Sequence, residues 1–201
     1  MQEATGETLK APAGAPFTMD RSAAIGLLKQ HVHEDALVRH CLATGAIMKA
    51  VAGPLLGDPR RWEEIGILHD IDFESVNGDM QQHGVAGARL LRDTGVPGDI
   101  ADIVQRHNHF LHSGTYDTPL EIALQAADSA SGLITACALV KGGRLSEVSV
   151  KTITKKAKEK AFAAGCDRNR IAPLSSLMEL PVFYEYALKG LMQIRAELGL
   201  E

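Results

Sequence analysis

Aromatic side chains are scarce: one Trp, three Tyr and five Phe make up 4% of the 201 residues. That leaves few stacking platforms for single strands or sugars. Cysteine is scarcer. Cys41, Cys137 and Cys166 are odd in number, far apart and outside any C-x-x-C pair, so neither a disulfide framework nor a thiolate zinc site follows from them. There is no excess of basic charge either. Lys and Arg number 21 against 25 Asp and Glu, a net charge of −4, which argues against a general binder of nucleic acid or anionic membrane. The longest apolar stretch, Leu120 to Val140, has the length to span a bilayer but contains Glu121, Gln125 and Asp128, so a buried core helix is the better reading. The N-terminus lacks the charged-then-apolar pattern of a signal peptide, and the chain reads as cytoplasmic. Also missing are G-x-x-x-x-G-K-[ST], G-x-G-x-x-G and the G-x-S-x-G elbow. The chemistry must come from elsewhere.

What remains is an ordinary globular composition, 45% hydrophobic and 23% charged, of a length suited to one domain or one domain with a tail. Residues 1–17 are rich in Gly, Ala, Pro and Thr without a period, and read as a flexible leader or expression remnant. From residue 18 to 201 nearly every segment has helical spacing and none alternates. Helices are expected at roughly 20–31, 34–53, 60–69, 82–94, 98–109, 119–140, 146–164 and 176–198, with ordinary breaks at Gly53-Pro54, Asn77-Gly78, Pro97-Gly98, Gly142-Gly143 and Gly165. The expected class is all-α.

The histidines fall on apolar stripes. Leu37, His40, Thr44, Ile47 and Val51 share a helix face, which points His40 inward. The third helix runs out at His69-Asp70. His83 aligns with Gly87 and Leu90, and His107 with Ile100, Ile103 and Val104, while His109 is rotated by about 200° from His107 and should look elsewhere. A lone inward histidine is usually a hydrogen-bonded core residue, and His31, His33 and His112 take that reading or a surface one. Asp128 is harder to dismiss. It is the only charge between Glu121 and Lys141, and no Lys or Arg lies within a turn of it, so burial is costly unless a cation comes from elsewhere. A metal ion would supply that charge. Jointly, four histidines and two aspartates from five helices face the interior of one small bundle, a donor set suited to Fe, Mn, Zn, Co or Ni.

The order His40, then His69-Asp70, then Asp128 resembles the H…HD…D signature of the HD superfamily of metal-dependent phosphohydrolases, an all-helical family. EEIGILHDID is similar to the helix leading into its HD pair, and ALQAADSASGLI to the segment carrying its distal Asp; the likeness spans about residues 34–135. One departure is visible, since the common HDIG reads His69-Asp70-Ile71-Asp72 here. The resemblance implies that His40, His69, Asp70 and Asp128 hold a first divalent ion. QQHGVAGARLL and DIVQRHNHF resemble the segments that carry two further histidines in dinuclear members, which implies His83 and His107 on a second ion with Asp70 bridging. The cofactors implied are two divalent ions drawn from Fe, Mn, Zn, Co, Ni or Mg. The segment SVKTITKKAKEKAFAAGCDRNRI resembles that of a group of small bacterial HD proteins.

The resulting expectation is a hydrolase of phosphate esters or anhydrides, acting on a nucleotide or other small phosphorylated metabolite through a metal-activated water, with Asp70 catalytic. No nucleophilic side chain is needed, in keeping with the missing serine or cysteine constellation. Two alternatives use the same residues: a di-iron oxygenase in the same cage, or a non-catalytic nucleotide-sensing module. The expected partner is a small phosphorylated substrate, not nucleic acid or membrane. The lysines of KTITKKAKEK read first as a solvated helix and second as phosphate-holding point charges.

Overall fold

The computed structural model describes residues 19–112 and 116–201. All regular structure among these is helical: α1 (Arg21–His31), α2 (Asp35–Ala52), α3 (Pro59–Leu68), α4 (Val85–Asp93), α5 (Gly98–His107), α6 (Pro119–Leu139), α7 (Val150–Ala157), α8 (Arg168–Ile171) and α9 (Leu180–Gln193), with 3-10 turns at Leu145–Glu147 and Ala172–Ser176. The fold is all-α. The leader expected over residues 1–17 lies outside the described residues.

Helix starts follow local chemistry. Asp20 caps α1 by accepting from the Ala23 amide. Asp58 does the same for α3, with Pro59 at the first position. Thr118 and Glu121 form a reciprocal capping box ahead of α6, each satisfying an amide that the first turn leaves free. Three expected helices differ from the structure. The one expected over 146–164 is a 3-10 turn followed by α7, which Ser149 caps and which stops at Ala157, well before the positive φ of Ala163. The one expected over 176–198 begins only at Leu180. The short α8 was not expected at all. The fourth helix begins at Val85, not residue 82, for a reason that lies in the site.

α2 and α6 form the centre. α2 packs against α3, α6 and α9, and α6 against α7, α8 and α9. Although α6 is long and apolar enough to cross a membrane, its apolar residues go into this core: Ala123, Leu124, Ala127, Ala130, Leu133 and Ile134 are buried. Burying each such Leu or Ile contributes about 1.5–3 kcal/mol.

The α2–α3 crossing fixes the site. Gly45 of α2 and Gly66 of α3 put two helical backbones in direct contact: a Cβ on Gly66 would lie 2.7 Å from Gly45 Cα, and one on Gly45 would lie 2.7 Å from Ile67 Cγ1. Only glycine permits that approach. It brings the C-terminal end of α3, and with it His69-Asp70, beside His40 on α2.

Candidate metal centre

All six residues expected in the site converge, from five stretches of chain. His40 comes from α2, His69 and Asp70 from the end of α3, His83 from the turn before α4, His107 from the last position of α5 and Asp128 from the middle of α6. His69, Asp70, His83 and His107 are buried, and His40 and Asp128 partly so.

Each imidazole is held by its Nδ1. His69 Nδ1 donates to Gly66 O at 2.8 Å, and His107 Nδ1 to Val104 O at 2.5 Å. Both acceptors are carbonyls three residues back, among the last four of their helices, which have no intrahelical partner. His83 Nδ1 donates to Asp72 Oδ1 at 3.0 Å. His40 Nδ1 lies 3.0 Å from Ser131 Oγ. That hydroxyl spends its own hydrogen on Asp128 O at 2.7 Å, so it accepts from His40. With every Nδ1 committed as a donor, every neutral ring presents an Nε2 lone pair to the interior.

Those lone pairs meet one another. His40 and His69 Nε2 are 3.2 Å apart, and His83 and His107 Nε2 3.0 Å apart. The carboxylates lie among them. His40 Nε2 is 3.4 Å from Asp70 Oδ2 and 3.3 Å from Asp128 Oδ1. Asp70 Oδ1 is 3.4, 3.3 and 3.2 Å from the Nε2 atoms of His69, His83 and His107. Metal–nitrogen and metal–oxygen bonds of about 2.0–2.2 Å set neighbouring donors about 2.9–3.5 Å apart in tetrahedral or octahedral coordination. The donor set therefore fits metal ions in spacing as well as in type. It divides into two groups, His40 with His69 and Asp128, and His83 with His107 and Asp70. Asp70 reaches into both.

Without a metal, protons must keep the lone pairs apart. Burial pushes the pKa of His40 down, but hydrogen bonds to Asp128 and Asp70 outweigh it and raise it to about 10. Its neighbour His69 is lowered to about 4 by burial, which the carboxylates oppose without overcoming. In the other pair burial again works downward on His83, while Asp70 and Asp72 bring it up to about 9. Burial alone would raise both aspartates. The imidazoles hold Asp70 well below the usual carboxylate range, and His40 with Arg170 does the same for Asp128. Cys41 is also close to His69 and Asp70. Burial, with the charges of Asp70 and Asp128, pushes its thiol far up, so in the metal-free protein it stays a neutral thiol.

Arg170 corrects the expectation for Asp128. Its Nη2 donates to Asp128 Oδ2 at 2.5 Å, and its Nε to Gln125 Oε1 at 2.7 Å. The cation missing from α6 itself arrives from α8, 42 residues further on. A metal is thus not required merely to neutralise Asp128; the converging Nε2 atoms carry that argument instead. No local signal identified Arg170, because it reaches the site only through tertiary packing. His109 lies just beyond the end of α5, stacked on Phe110 with ring centroids 4.2 Å apart, and is not among the converging donors. The lysines take the solvated reading. Lys151, Lys155, Lys158 and Lys160 are exposed, and Lys156 pairs with Glu159 at 2.6 Å over the Phe162 ring.

The comparison with known families agrees with this geometry. The HD domain family matches residues 37–133, which contain all six converging residues. That segment is an HD domain. The HD domain is that of a superfamily of metal-dependent phosphohydrolases, whose members bind divalent metals. No curated protein and no solved structure matches the chain. Arg170 lies beyond the matched residues, and Asp72 stands within them.

Proposed function

We propose that the chain is a metal-dependent hydrolase of phosphate esters or anhydrides, acting on a nucleotide or other small phosphorylated metabolite. The observation that carries the reading is the inward set of Nε2 lone pairs, 3.0–3.4 Å from one another and from the Asp70 and Asp128 carboxylates. His40, His69, Asp70 and Asp128 would hold one divalent ion, and Asp70, His83 and His107 a second. Bound there, the ions would supply Lewis acidity, making a water acidic enough to attack near neutral pH and polarising the phosphoryl oxygens.

The chain's own residues do the rest. Asp70, ionised and within reach of both groups, holds them in one register. Arg170 keeps Nη2 on Asp128 and Nε on Gln125, and its remaining N–H groups would donate to a substrate phosphate; a planar guanidinium suits that task. Gln125 fixes Arg170 and also ties down the end of α5 by donating to His107 O at 2.8 Å. Asp70 and Asp128 are held too acidic to serve as the proton donor to the departing oxygen.

The test is a hydrolysis screen of phosphorylated metabolites with protein loaded anaerobically with Fe, Mn, Co or Zn. Phosphate release that disappears in His69→Ala and Asp70→Ala supports the reading. For Arg170→Ala, KM for the substrate found should rise about tenfold or more, with the metal content kept. Oxygen uptake by the Fe-loaded sample without phosphate release would overturn it in favour of an oxygenase, and tight nucleotide binding without turnover in favour of a sensor.

A further inference from the structure

Asp72, the residue that departs from HDIG, is fully buried beside the centre without facing it. Its two oxygens are occupied in different ways. Oδ1 accepts from His83 Nδ1 at 3.0 Å, and Oδ2 accepts from the Gly84 and Gly87 amides, both at 2.8 Å. Those amides open α4, so the carboxylate caps that helix from outside its own sequence. The cradle is shaped for it. Gly84 has φ +82, and a Cβ on Gly87 would sit 3.0 Å from Asp72 Cγ. This cap is why the fourth helix starts after His83 and not before it.

We propose that Asp72 is the positioning residue that fixes the tautomer of His83, and that only a carboxylate can fill the post. The proposal rests on the two-ion reading above. Every group facing Asp72 is a donor, so every lone pair it presents must accept. An amide in its place has one oxygen. Turned toward Gly84 and Gly87, that oxygen leaves the NH2 against His83 Nδ1, which must then accept, and the ring proton moves to Nε2 and blocks the lone pair aimed at the second group. Turned the other way, the NH2 meets two backbone N–H donors. Neither orientation preserves both sets of hydrogen bonds. The other rings are backed by neutral groups, the Gly66 and Val104 carbonyls and the Ser131 hydroxyl. Asp72 thus makes His83 the most strongly donating of the four imidazoles.

The experiment uses Asp72→Asn, Gly87→Ala and His83→Gln in the full chain, with two readouts. Nitrogen NMR of histidine-labelled, metal-free protein at pH 10 reads the His83 tautomer directly. Wild type should carry the proton on Nδ1 and Asp72→Asn on Nε2. Bound Zn and Mn per chain are measured after dialysis. Asp72→Asn should weaken the second ion about 10–100-fold, and Gly87→Ala about tenfold by displacing the carboxylate. Adding Asp72→Asn to His83→Gln should cost nothing further. A wild-type chain with His83 protonated on Nε2 overturns the proposal even if no variant folds, as does Asp72→Asn with the Nδ1 proton and both ions retained. Wild type that binds a single ion while keeping the Nδ1 tautomer contradicts the two-ion reading instead and leaves the role of Asp72 in tautomer choice standing.

Discussion

Loading the centre with metal should expel protons in a countable way. Each histidine pair of the metal-free protein shares one. His40 carries it beside His69, with values of about 10 and about 4, and His83, at about 9, carries it beside His107. An ion bound by lone pairs must displace these protons. At pH 6 both are essentially fully bound, so two ions should release at least these two protons per chain. By pH 9 His83 is about half deprotonated and His40 still about nine-tenths protonated, so their release should fall to about 1.4. The His40 proton also lowers the affinity of the first ion. At pH 7 it stands about three units below its pKa, a cost of about 4 kcal/mol that shrinks by about 1.4 kcal/mol for each unit of rising pH.

The assay is calorimetric titration of metal-free protein with Zn or Mn at pH 6, in buffers of different ionisation enthalpy. The slope of observed heat against buffer ionisation enthalpy counts protons. Working at pH 6 keeps a bound water mostly un-ionised, since even a strongly activated one has a pKa near 7. Repeating the titration with His83→Gln should remove one ion and one proton together. A slope near zero while both ions bind would refute the lone-pair argument, because the Nε2 atoms would then already be free and their close approach would need another explanation.

Stability of the metal-free protein should depend on pH with a definite sign. The raised values of His40 and His83 stabilise the fold fully below about pH 6.5, and this is lost toward pH 9–10, at up to about 1.4 kcal/mol per unit for each group; His69, lowered to about 4, works the other way, costing stability as pH falls from about 6.5 toward 4. Denaturant midpoints should therefore peak near pH 6–7, and a steady rise from 7 to 9 would contradict the assignment. Gly66→Ala should destabilise by about 1–3 kcal/mol, since its Cβ meets backbone that cannot move aside; an unchanged melting curve would mean that the α2–α3 contact is slack. Asp128→Asn should lose metal and also about 3 kcal/mol of metal-free stability, because Arg170 is left without its counter-charge. A more stable Asp128→Asn that keeps its metal would return Asp128 to the status of a costly buried group.

Much of the centre was legible in the sequence because its residues lie on, or at the ends of, regular helices. A period of three and four turns His40 and Asp128 inward wherever the helices are placed. His69 and His107 sit where their helices run out, and the carbonyls freed there hold their rings. His83 was expected for the wrong geometric reason. Its alignment with Gly87 and Leu90 assumed a helix that Gly84 interrupts, and what aims the ring is a carboxylate eleven residues earlier. Asp72 was visible as a departure from HDIG, but its role needed the folded turn. Arg170 was invisible, because a guanidinium that crosses from α8 to α6 leaves no periodic trace in the chain.

These two missed residues change the electrostatics on which the functional reading depends. Asp70, Asp128 and Asp72 carry three negative charges, Arg170 returns one positive charge, and four neutral imidazoles add nothing. The donor cage is therefore two charges negative before any ion binds, and two protons make it neutral in the metal-free state. A single dication in place of those protons would leave it neutral again, with little pull on an anion. Two dications would leave an excess of two positive charges in a low-dielectric recess, which a phosphate monoester dianion or the terminal phosphate of a nucleotide would offset. Charge balance thus ties the number of ions to the substrate class. A one-ion centre suits a neutral or singly charged substrate, and a two-ion centre with Arg170 at its edge suits a phosphate. Inorganic phosphate separates the cases: with both ions bound it should be a competitive inhibitor that weakens in Arg170→Ala, and with one ion it should have little effect on the chain at all.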